Sequence, residues 1–235
     1  MRLLIASTLF FLAQTGAEPP PDSSLSLRYY LVFLRPDPAR KPIAKEEGER
    51  IQTAHMANIR AMADRGVLVA AGPFDDPHTT ISGIFIFRTS SLAEAQRIAN
   101  EDPTVTEHRN MAEVHAWWGP KGLGEEYARL HKEKPETPQY MGVQPLFLIY
   151  RGSQWADRDK QAAAHLEYLA RLRREGKLAM EGTTEGDDNL SAIAVFRRIP
   201  DEDAQHLMAE DPAVKANIFK LEYHRWWCAE HVLPN

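Results

Sequence analysis

Cysteine is almost missing from this chain of 235 residues, since Cys228 is the only one. A single cysteine cannot form a disulfide within the chain or supply a thiolate cluster for structural zinc. We therefore expect Cys228 to be a packing residue. Basic charge is not in excess either, because 28 lysines and arginines stand against 33 aspartates and glutamates, for a formal net charge of −5. This balance argues against a general nucleic-acid-binding protein, which must neutralise phosphates.

Long apolar segments are also scarce. The uncharged run from Leu3 to Ala13 has about eleven residues, which is short of the roughly 20 that a membrane-spanning helix needs. Arg2 precedes this run and small residues close it at Ala17, which is the order of a secretory signal peptide. We predict that residues 1–17 are a signal peptide, and that the protein is exported to the periplasm or outside the cell without a stable membrane span. A retained interfacial anchor is the alternative.

The chain repeats itself after a polar spacer rich in proline and serine, which we place at residues 18–27. In the first half of the repeat the offset is 110 residues, and the matches are Ala54-His55 with Ala164-His165, Gly66 with Gly176, Leu68 with Leu178 and Gly72 with Gly182. In the second half the offset is 109, and the matches include Glu101-Asp102-Pro103 with Glu210-Asp211-Pro212, and Glu113, His115, Trp117 and Trp118 with Glu222, His224, Trp226 and Trp227. This order indicates a duplicated module, which we place at residues 28–118 and 145–228 with a linker at 119–144.

Each copy has the element order β-α-β-β-α-β. In the first copy we predict strands at residues 28–34, 67–71, 81–87 and 108–117, and helices at 46–65 and 92–100. In the second copy we predict strands at residues 146–150, 177–181, 191–197 and 217–227, and helices at 157–175 and 201–210. This is the ferredoxin-like order, whose sheet has helices on one face only and needs cover on the other. We therefore predict an α+β protein in which two ferredoxin-like modules pack as an intramolecular pseudo-dimeric α+β barrel. Further homo-oligomers are left open.

The predicted topology brings an imidazole and two carboxylates to one rim of the first module. His55 lies in the apolar stripe of the first helix, while Asp75 follows the second strand and Asp102 follows the second helix. A histidine that is oriented by a carboxylate can act as a general base near neutral pH. Because His165 and Asp211 repeat the pair, we predict His55, Asp102, Asp75, His165 and Asp211 as catalytic candidates. The alternative is a core histidine satisfied by a backbone carbonyl, with Asp-Pro serving only to end the helix.

The last strand of each module carries a second group of polar residues. Side chains alternate along a strand, which places Glu113, His115 and Trp117 on one face. A glutamate and a histidine on one face can contribute to a metal site, but no third ligand has suitable spacing. We therefore predict structural tryptophans, no metal and no cofactor. The aromatic residues Tyr29, Tyr30 and Phe74, together with these tryptophans, are also candidates for lining an apolar pocket that accepts a small planar ligand.

Together these motifs resemble the YCII-related family. The resemblance rests on the helical His55 and His165, a glycine-rich step into Gly72-Pro73-Phe74, the helix that ends in Glu101-Asp102-Pro103, and a last strand that ends in tryptophan. It implies dimeric α+β barrels with a proposed His-Asp active site, in a family that includes a dehydrochlorinase of a chlorinated hydroxyquinol. By resemblance, His55 is the general base, and Asp102 is favoured over Asp75 as its partner.

Two features depart from the family pattern. The second copy has Gly182-Thr183-Thr184-Glu185 where the first has Gly72-Pro73-Phe74-Asp75, so its pocket is in doubt unless Asp187 or Asp188 substitutes. Members of the family are usually single modules without a signal peptide, whereas here two modules follow a predicted signal peptide.

We therefore expect an exported small-molecule lyase or isomerase. In this interpretation His55 removes a proton from a phenolic or enolic ligand, which contacts Gly72, Pro73 and Phe74, while a backbone N–H near Gly72 stabilises the oxyanion. The alternative is a non-catalytic module that binds a ligand or a partner protein and whose histidines are structural.

Overall fold

The computed structural model describes residues 26–76, 79–135, 140–186 and 189–234. The predicted signal peptide, most of the predicted spacer, and both Asp187 and Asp188 lie outside the described residues. Strand β1 (Ser26–Pro36) begins within the range that we predicted as a spacer.

The first module follows the predicted element order with one addition. After β1 come α1 (Lys45–Asp64), β2 (Leu68–Pro73), β3 (Gly83–Phe87), α2 (Leu92–Asn100), α3 (Pro103–Thr106) and β4 (Asn110–Pro120). Ser91 caps α2, because its side chain accepts a hydrogen bond from the backbone N–H of Glu94. The short helix α3 was not predicted. It forms because Asp102 caps it by accepting the N–H of Thr104, while Pro103 has the fixed φ that a first helical turn requires.

The second module repeats this order after a helix in the predicted linker. Helix α4 spans Glu125–Glu133, and then come β5 (Met141–Arg151), a 3-10 helix (Trp155–Lys160), α5 (Ala162–Arg174), β6 (Leu178–Thr184), β7 (Leu190–Phe196), α6 (Asp201–Ala209), α7 (Pro212–Lys215) and β8 (Phe219–Ala229). The single helix predicted at 157–175 is therefore two helices. The Trp155 ring packs on Phe219 with centroids 5.8 Å apart, which holds the 3-10 turn against β8 rather than on the axis of α5.

Eight strands form one curved sheet in the order β2-β3-β1-β4-β6-β7-β5-β8. Each module supplies four neighbouring strands, and the modules meet at two seams. At one seam Trp117 and Trp118 of β4 pair with Thr184 and Thr183 of β6. At the other, Phe74 at the end of β2 bridges to Trp226 of β8. The chain therefore folds as the predicted pseudo-dimeric α+β barrel.

Apolar side chains fill the barrel and also cover the outer face of the sheet in each module. Alternate residues of β1 point to opposite sides, so Leu31 and Phe33 lie inside the barrel while Tyr30 and Val32 pack under the helices. The second module has its own outer cluster beneath α5 and α6. Cys228 is buried in the barrel, where burial raises the pKa of its thiol to about 12, in agreement with the predicted packing role.

Glycines allow the close approach of strands at both seams. A Cβ at Gly72 would collide with the backbone of Trp227 and the indole of Trp226, and a Cβ at Gly182 would collide with Trp118 and Trp117. Positions 72 and 182 are equivalent in the two copies. Each seam therefore needs a residue without a side chain at the same place. In the part of the chain that is described, no helix combines the length and the apolar character needed to cross a membrane.

Candidate functional site

His55 lies on the inner side of α1, above the outer face of the first module's sheet. Ile51 and Met62, one and two turns away on the same side, are buried and fix this face of the helix against the strands. The imidazole lies over the ring of Phe85 in β3, with centroids 5.8 Å apart. Only 13% of the His55 side chain is exposed. Helix and sheet together therefore leave the ring few orientations.

The partner of His55 is Asp102, at the junction of α2 and α3. Nδ1 of His55 lies 2.9 Å from Oδ1 and 2.8 Å from Oδ2 of the fully buried Asp102 side chain. Asp102 also accepts hydrogen bonds from Nδ2 of Asn58 at 3.0 Å, and from the backbone N–H and Oγ1 of Thr104 at 2.9 and 2.6 Å. The carboxylate that caps α3 is thus the one that orients the imidazole.

These contacts determine the ionisation of Asp102 and which ring nitrogen of His55 donates to it. Burial of the Asp102 carboxyl opposes its ionisation, but the hydrogen bonds from His55, Thr104 and Asn58 outweigh burial, and the pKa of Asp102 lies below its ordinary value. An ionised carboxylate only accepts hydrogen bonds, so Nδ1 of His55 must donate. The lone pair of Nε2 is then available to take a proton.

A long groove runs beside this pair between α1, β2 and α4. Its volume is about 1150 Å³, and it is lined mainly by apolar side chains and backbone, with His55 among its walls. Met56 and Ile59 of α1 form one side and Tyr127 of α4 forms the other. We call this cavity the α1 groove. A cavity of this size can enclose a small organic molecule beside the imidazole.

The three predicted ligand contacts divide into two groups. Gly72 and Pro73 line the α1 groove, where their contact with a ligand stays a prediction. Phe74 is instead buried at the seam and stacks on His224, with centroids 4.4 Å apart and an interplanar angle of 10°. It packs inside the barrel because β2 continues past Pro73 into the bridge with β8. We therefore treat Phe74 as a core residue.

Asp75 is not placed to be the partner of His55. Its backbone N–H donates to the carbonyl of Arg225 at 2.8 Å, and its carboxylate lies 3.5 Å from the Arg225 guanidinium. Of the two aspartates that the sequence left open, the structure brings Asp102 and not Asp75 to His55. The reason is the seam, because β2 carries the residues after Pro73 across to the second module. The neighbouring Asp76, which we did not predict, accepts from Nδ1 of His224 at 2.7 Å.

The second module repeats the histidine–aspartate contact in different surroundings. Nδ1 of His165 lies 2.7 Å from Oδ2 of Asp211, which also caps α7 through the N–H of Ala213. Phe219 packs beside the imidazole with centroids 5.0 Å apart. Tyr168 replaces Asn58, and its hydroxyl donates to the carbonyl of Leu207 rather than to the aspartate. The pair is thus the same, but the groups around it differ.

Glu181 is a polar residue of the second module that sequence reasoning missed. It lies on β6 at the position equivalent to Ala71, and Arg173 of α5 donates to its carboxylate. Burial raises the pKa of Glu181, against the opposing effect of Arg173 and His165. The only sequence signal was an acidic residue in a strand whose first copy has alanine.

The predicted Glu-x-His face of β4 and β8 lies inside the barrel. Nε2 of His115 lies 2.9 Å from Glu113, which Arg35 also contacts, and the hydrogen bond from His115, with that from Arg35, lowers the pKa of Glu113 to about 2. Nε2 of His224 lies 3.0 Å from Glu222 in the equivalent place. Within the described ranges, no set of three or more acidic, histidine or cysteine side chains is arranged to hold a metal ion.

Comparison with known proteins identifies both halves of the chain. The family model for the YCII-related domain matches twice, at residues 29–117 and 126–226, which confirms the predicted duplication. No curated protein matches the sequence.

The fold of this chain resembles those of several solved structures. A mutant chlorite dismutase from Candidatus Nitrospira defluvii is 10% identical, with 90% of this chain and 93% of that chain covered and a TM-score of 0.57. A heme-binding protein from Thermus thermophilus is 16% identical, with 86% and 92% covered and a TM-score of 0.48. At such identities the likeness concerns the fold alone.

Proposed function

Since this chain belongs to the YCII-related family, we propose that its first module is a small-molecule lyase or isomerase with His55 and Asp102 as a general acid–base pair. The observation that carries the proposal is the contact of His55 Nδ1 with the buried Asp102 carboxylate beside an apolar groove. A carboxylate on Nδ1 makes Nε2 the basic nitrogen and stabilises the imidazolium that forms when Nε2 is protonated.

The proposed reaction begins with proton transfer from the substrate to Nε2 of His55. The C–H or O–H bond of a phenolic or enolic substrate breaks, and its electron pair moves toward an oxygen of the substrate. In an isomerase the imidazolium returns the proton at another carbon. In a lyase the electron pair expels a leaving group from the neighbouring carbon, and the imidazolium then passes its proton to the departing group or to solvent.

One observation favours the alternative, in which the barrel binds a ligand without catalysis. The His165–Asp211 contact persists in the second module although Phe219 packs on its imidazole. A pair that is kept although the polar groups around it differ can serve the packing of α5 on α7. The two histidines can therefore differ in role, and a comparison of the two copies separates the proposals.

The test is a matched pair of substitutions, His55→Gln and His165→Gln. We expect His55→Gln to lower turnover of phenolic and enolic compounds, including a chlorinated hydroxyquinol, by about 10²- to 10⁴-fold, the range for loss of a general base. His165→Gln should keep the turnover of the unmodified protein. Thermal unfolding of both variants checks that they fold. If His55→Gln lowers only the melting temperature and leaves turnover unchanged, the binding alternative holds.

We also propose that the protein is exported. The support is the order of charge and apolarity in residues 1–17. Expression of the full chain followed by N-terminal sequencing should give a mature protein that begins at Glu18. A protein that retains Met1 in the cytoplasm would contradict export.

A further inference from the structure

A second cavity lies beside the first turns of α1. One of its lining residues, Gln52, is one helical turn before His55. The volume of this cavity is about 450 Å³, and three of its walls are the basic residues Arg40, Lys45 and Arg109. The remaining lining residues are Ile43, Ala44, Gly48, Ile51, Gln52, Ser82, Thr104 and Asn110. Aspartate and glutamate do not occur among these lining residues, so every formal charge that borders the cavity is positive. We call it the Arg109 pocket.

The Arg109 pocket adjoins the α1 groove. Gln52, Ser82, Thr104 and Asn110 line both cavities. Thr104 also joins the pocket to the proposed active site, because its hydroxyl donates to Asp102 at 2.6 Å and accepts from Nδ2 of Asn110 at 3.0 Å. A molecule that extends from the pocket into the groove would enter the cavity that His55 lines.

The basic side chains of the pocket retain free donors. Arg109 gives one N–H to the carbonyl of Lys41, which leaves the rest of its guanidinium for another acceptor. Lys45 makes a loose contact with Glu49 at 3.6 Å, and both side chains are largely exposed. Two other acidic neighbours have partners of their own, since Glu47 binds Arg50 and Asp37 accepts the N–H of Ala39.

The second module provides an internal comparison, because it lacks these polar residues. At the offsets of the repeat, Gln52, Thr104, Arg109 and Asn110 correspond to Ala162, Ala213, Ile218 and Phe219. Ala213 and Ile218 are buried, and Phe219 packs between His165 and Trp155. The same backbone thus folds with an apolar filling at this place. The polar and basic lining in the first module is not a requirement of the fold.

We propose that the Arg109 pocket binds an oxyanion, a carboxylate or phosphate group, of a small molecule whose apolar part lies in the α1 groove. Guanidinium groups bind planar carboxylates and phosphates through paired, charge-assisted hydrogen bonds. Binding of the oxyanion stands on the pocket alone, whereas the presentation of the molecule to His55 rests on the proposed function. The proposed substrates are therefore phenols or enols that carry an anionic group. The Arg109 pocket holds the anionic group, and His55 deprotonates the other end of the molecule.

The test measures binding by isothermal titration calorimetry with the full chain, using 4-hydroxybenzoate, phenol and inorganic phosphate. We expect 4-hydroxybenzoate to bind more tightly than phenol, and Arg109→Gln to weaken its binding about 10-fold or more while phenol binding stays within about 2-fold. Arg40→Gln, at an exposed position, should act in the same direction. Arg97→Gln is the matched control, because Arg97 pairs with Glu101 on α2 outside the pocket.

The outcomes separate the ligand classes and the two proposals. Binding of phosphate that is lost in Arg109→Gln assigns the pocket to phosphates, and binding of the carboxylate alone assigns it to carboxylates. Binding of the anions that Arg109→Gln leaves unchanged overturns the pocket, as does equal binding of phenol and 4-hydroxybenzoate together with no binding of phosphate. His55→Gln should keep anion binding. If it does so while turnover is also unchanged, the pocket stands and the proposed catalysis fails.

Discussion

Asp102 is the residue on which the candidate site depends most. It is buried, it caps α3, and it accepts hydrogen bonds from Asn58 and His55. The same carboxylate therefore stabilises the fold and orients the imidazole. The sequence predicted this residue from its repetition as Asp211, and preferred it to Asp75 only by family resemblance. To choose between the two aspartates from sequence, one would have to know where the seam lies, because the seam brings Asp75 to Arg225. No local sequence pattern reveals that position.

Replacement of Asp102 by asparagine should change the response of the fold to acid. Because the pKa of Asp102 is lowered by folding, its ionised form stabilises the protein above the ordinary pKa of about 3.9, and this contribution is lost as the pH falls through the folded-state pKa. We expect Asp102→Asn to lower the free energy of unfolding at pH 7 by about 1–3 kcal/mol. The difference should shrink in acid.

Urea unfolding at pH 7 and at successively lower pH measures this difference. Asp203→Asn, at an exposed position of α6, is the control and should change stability little at any pH. A deficit in Asp102→Asn that is the same at all pH values would contradict the assigned ionisation.

Cys228 allows a second test at the scale of one residue. Its thiol is buried and its pKa is raised to about 12, so almost no thiolate exists at neutral pH. We expect a thiol reagent to leave the native protein unmodified and to react fully after unfolding in denaturant. Rapid labelling of the native protein would show that the barrel interior opens at this point.

Among the elements, the strands were predicted better than the short helices. Alternation and β-branched residues located all eight strands, although β1 and β5, with 11 residues each, are longer than predicted. Helices α3 and α7 have four residues each, too few for a 3.6-residue period to be visible. The break before α5 was missed for another reason, because it follows from the contact of Trp155 with Phe219. That contact joins segments far apart in the sequence.

Addition of a single methyl group should lower the stability of the protein most at the two seams. A Cβ at Gly72 or Gly182 collides with backbone of the facing strand, which cannot move without breaking the seam. We expect Gly72→Ala and Gly182→Ala each to destabilise the protein by about 1–3 kcal/mol or more. Gly48→Ala is the control, because its Cβ would lie 3.7 Å from Ile43 in a helix that favours alanine.

Differential scanning calorimetry of the three variants tests this prediction. Gly48→Ala should match or exceed the stability of the unmodified protein. If the seam variants are equally stable, the strands do not approach as closely as the structure indicates.

The whole molecule was predicted from the repeat rather than from any single motif. One module alone has a sheet face that nothing covers, and the second copy supplies the cover. The barrel therefore follows from the duplication in the sequence. The Arg109 pocket could not be predicted, because Arg40, Lys45 and Arg109 come from separate loops and a helix start. Their convergence depends on how those segments pack, and sequence spacing contains no signal for it.

The first module alone should therefore be unable to remain a monomer. Expressed as residues 26–121, it would expose the inner face that carries Leu31, Phe33 and Trp117, all of which are buried in the intact chain. Exposed apolar area of this kind promotes association. We expect sedimentation experiments to find dimers or larger assemblies of this fragment. A stable, fully folded monomer would contradict the role of the second module as cover.

The joining of both halves in one polypeptide has a consequence for how the protein can change over generations. In a symmetric assembly of identical chains, each mutation alters every copy of a pocket at once. Here Arg109 and Ile218 occupy equivalent places but are encoded by separate codons. One module can thus acquire a specialised pocket while the other keeps its structural role. An assembly of identical subunits cannot change one copy alone.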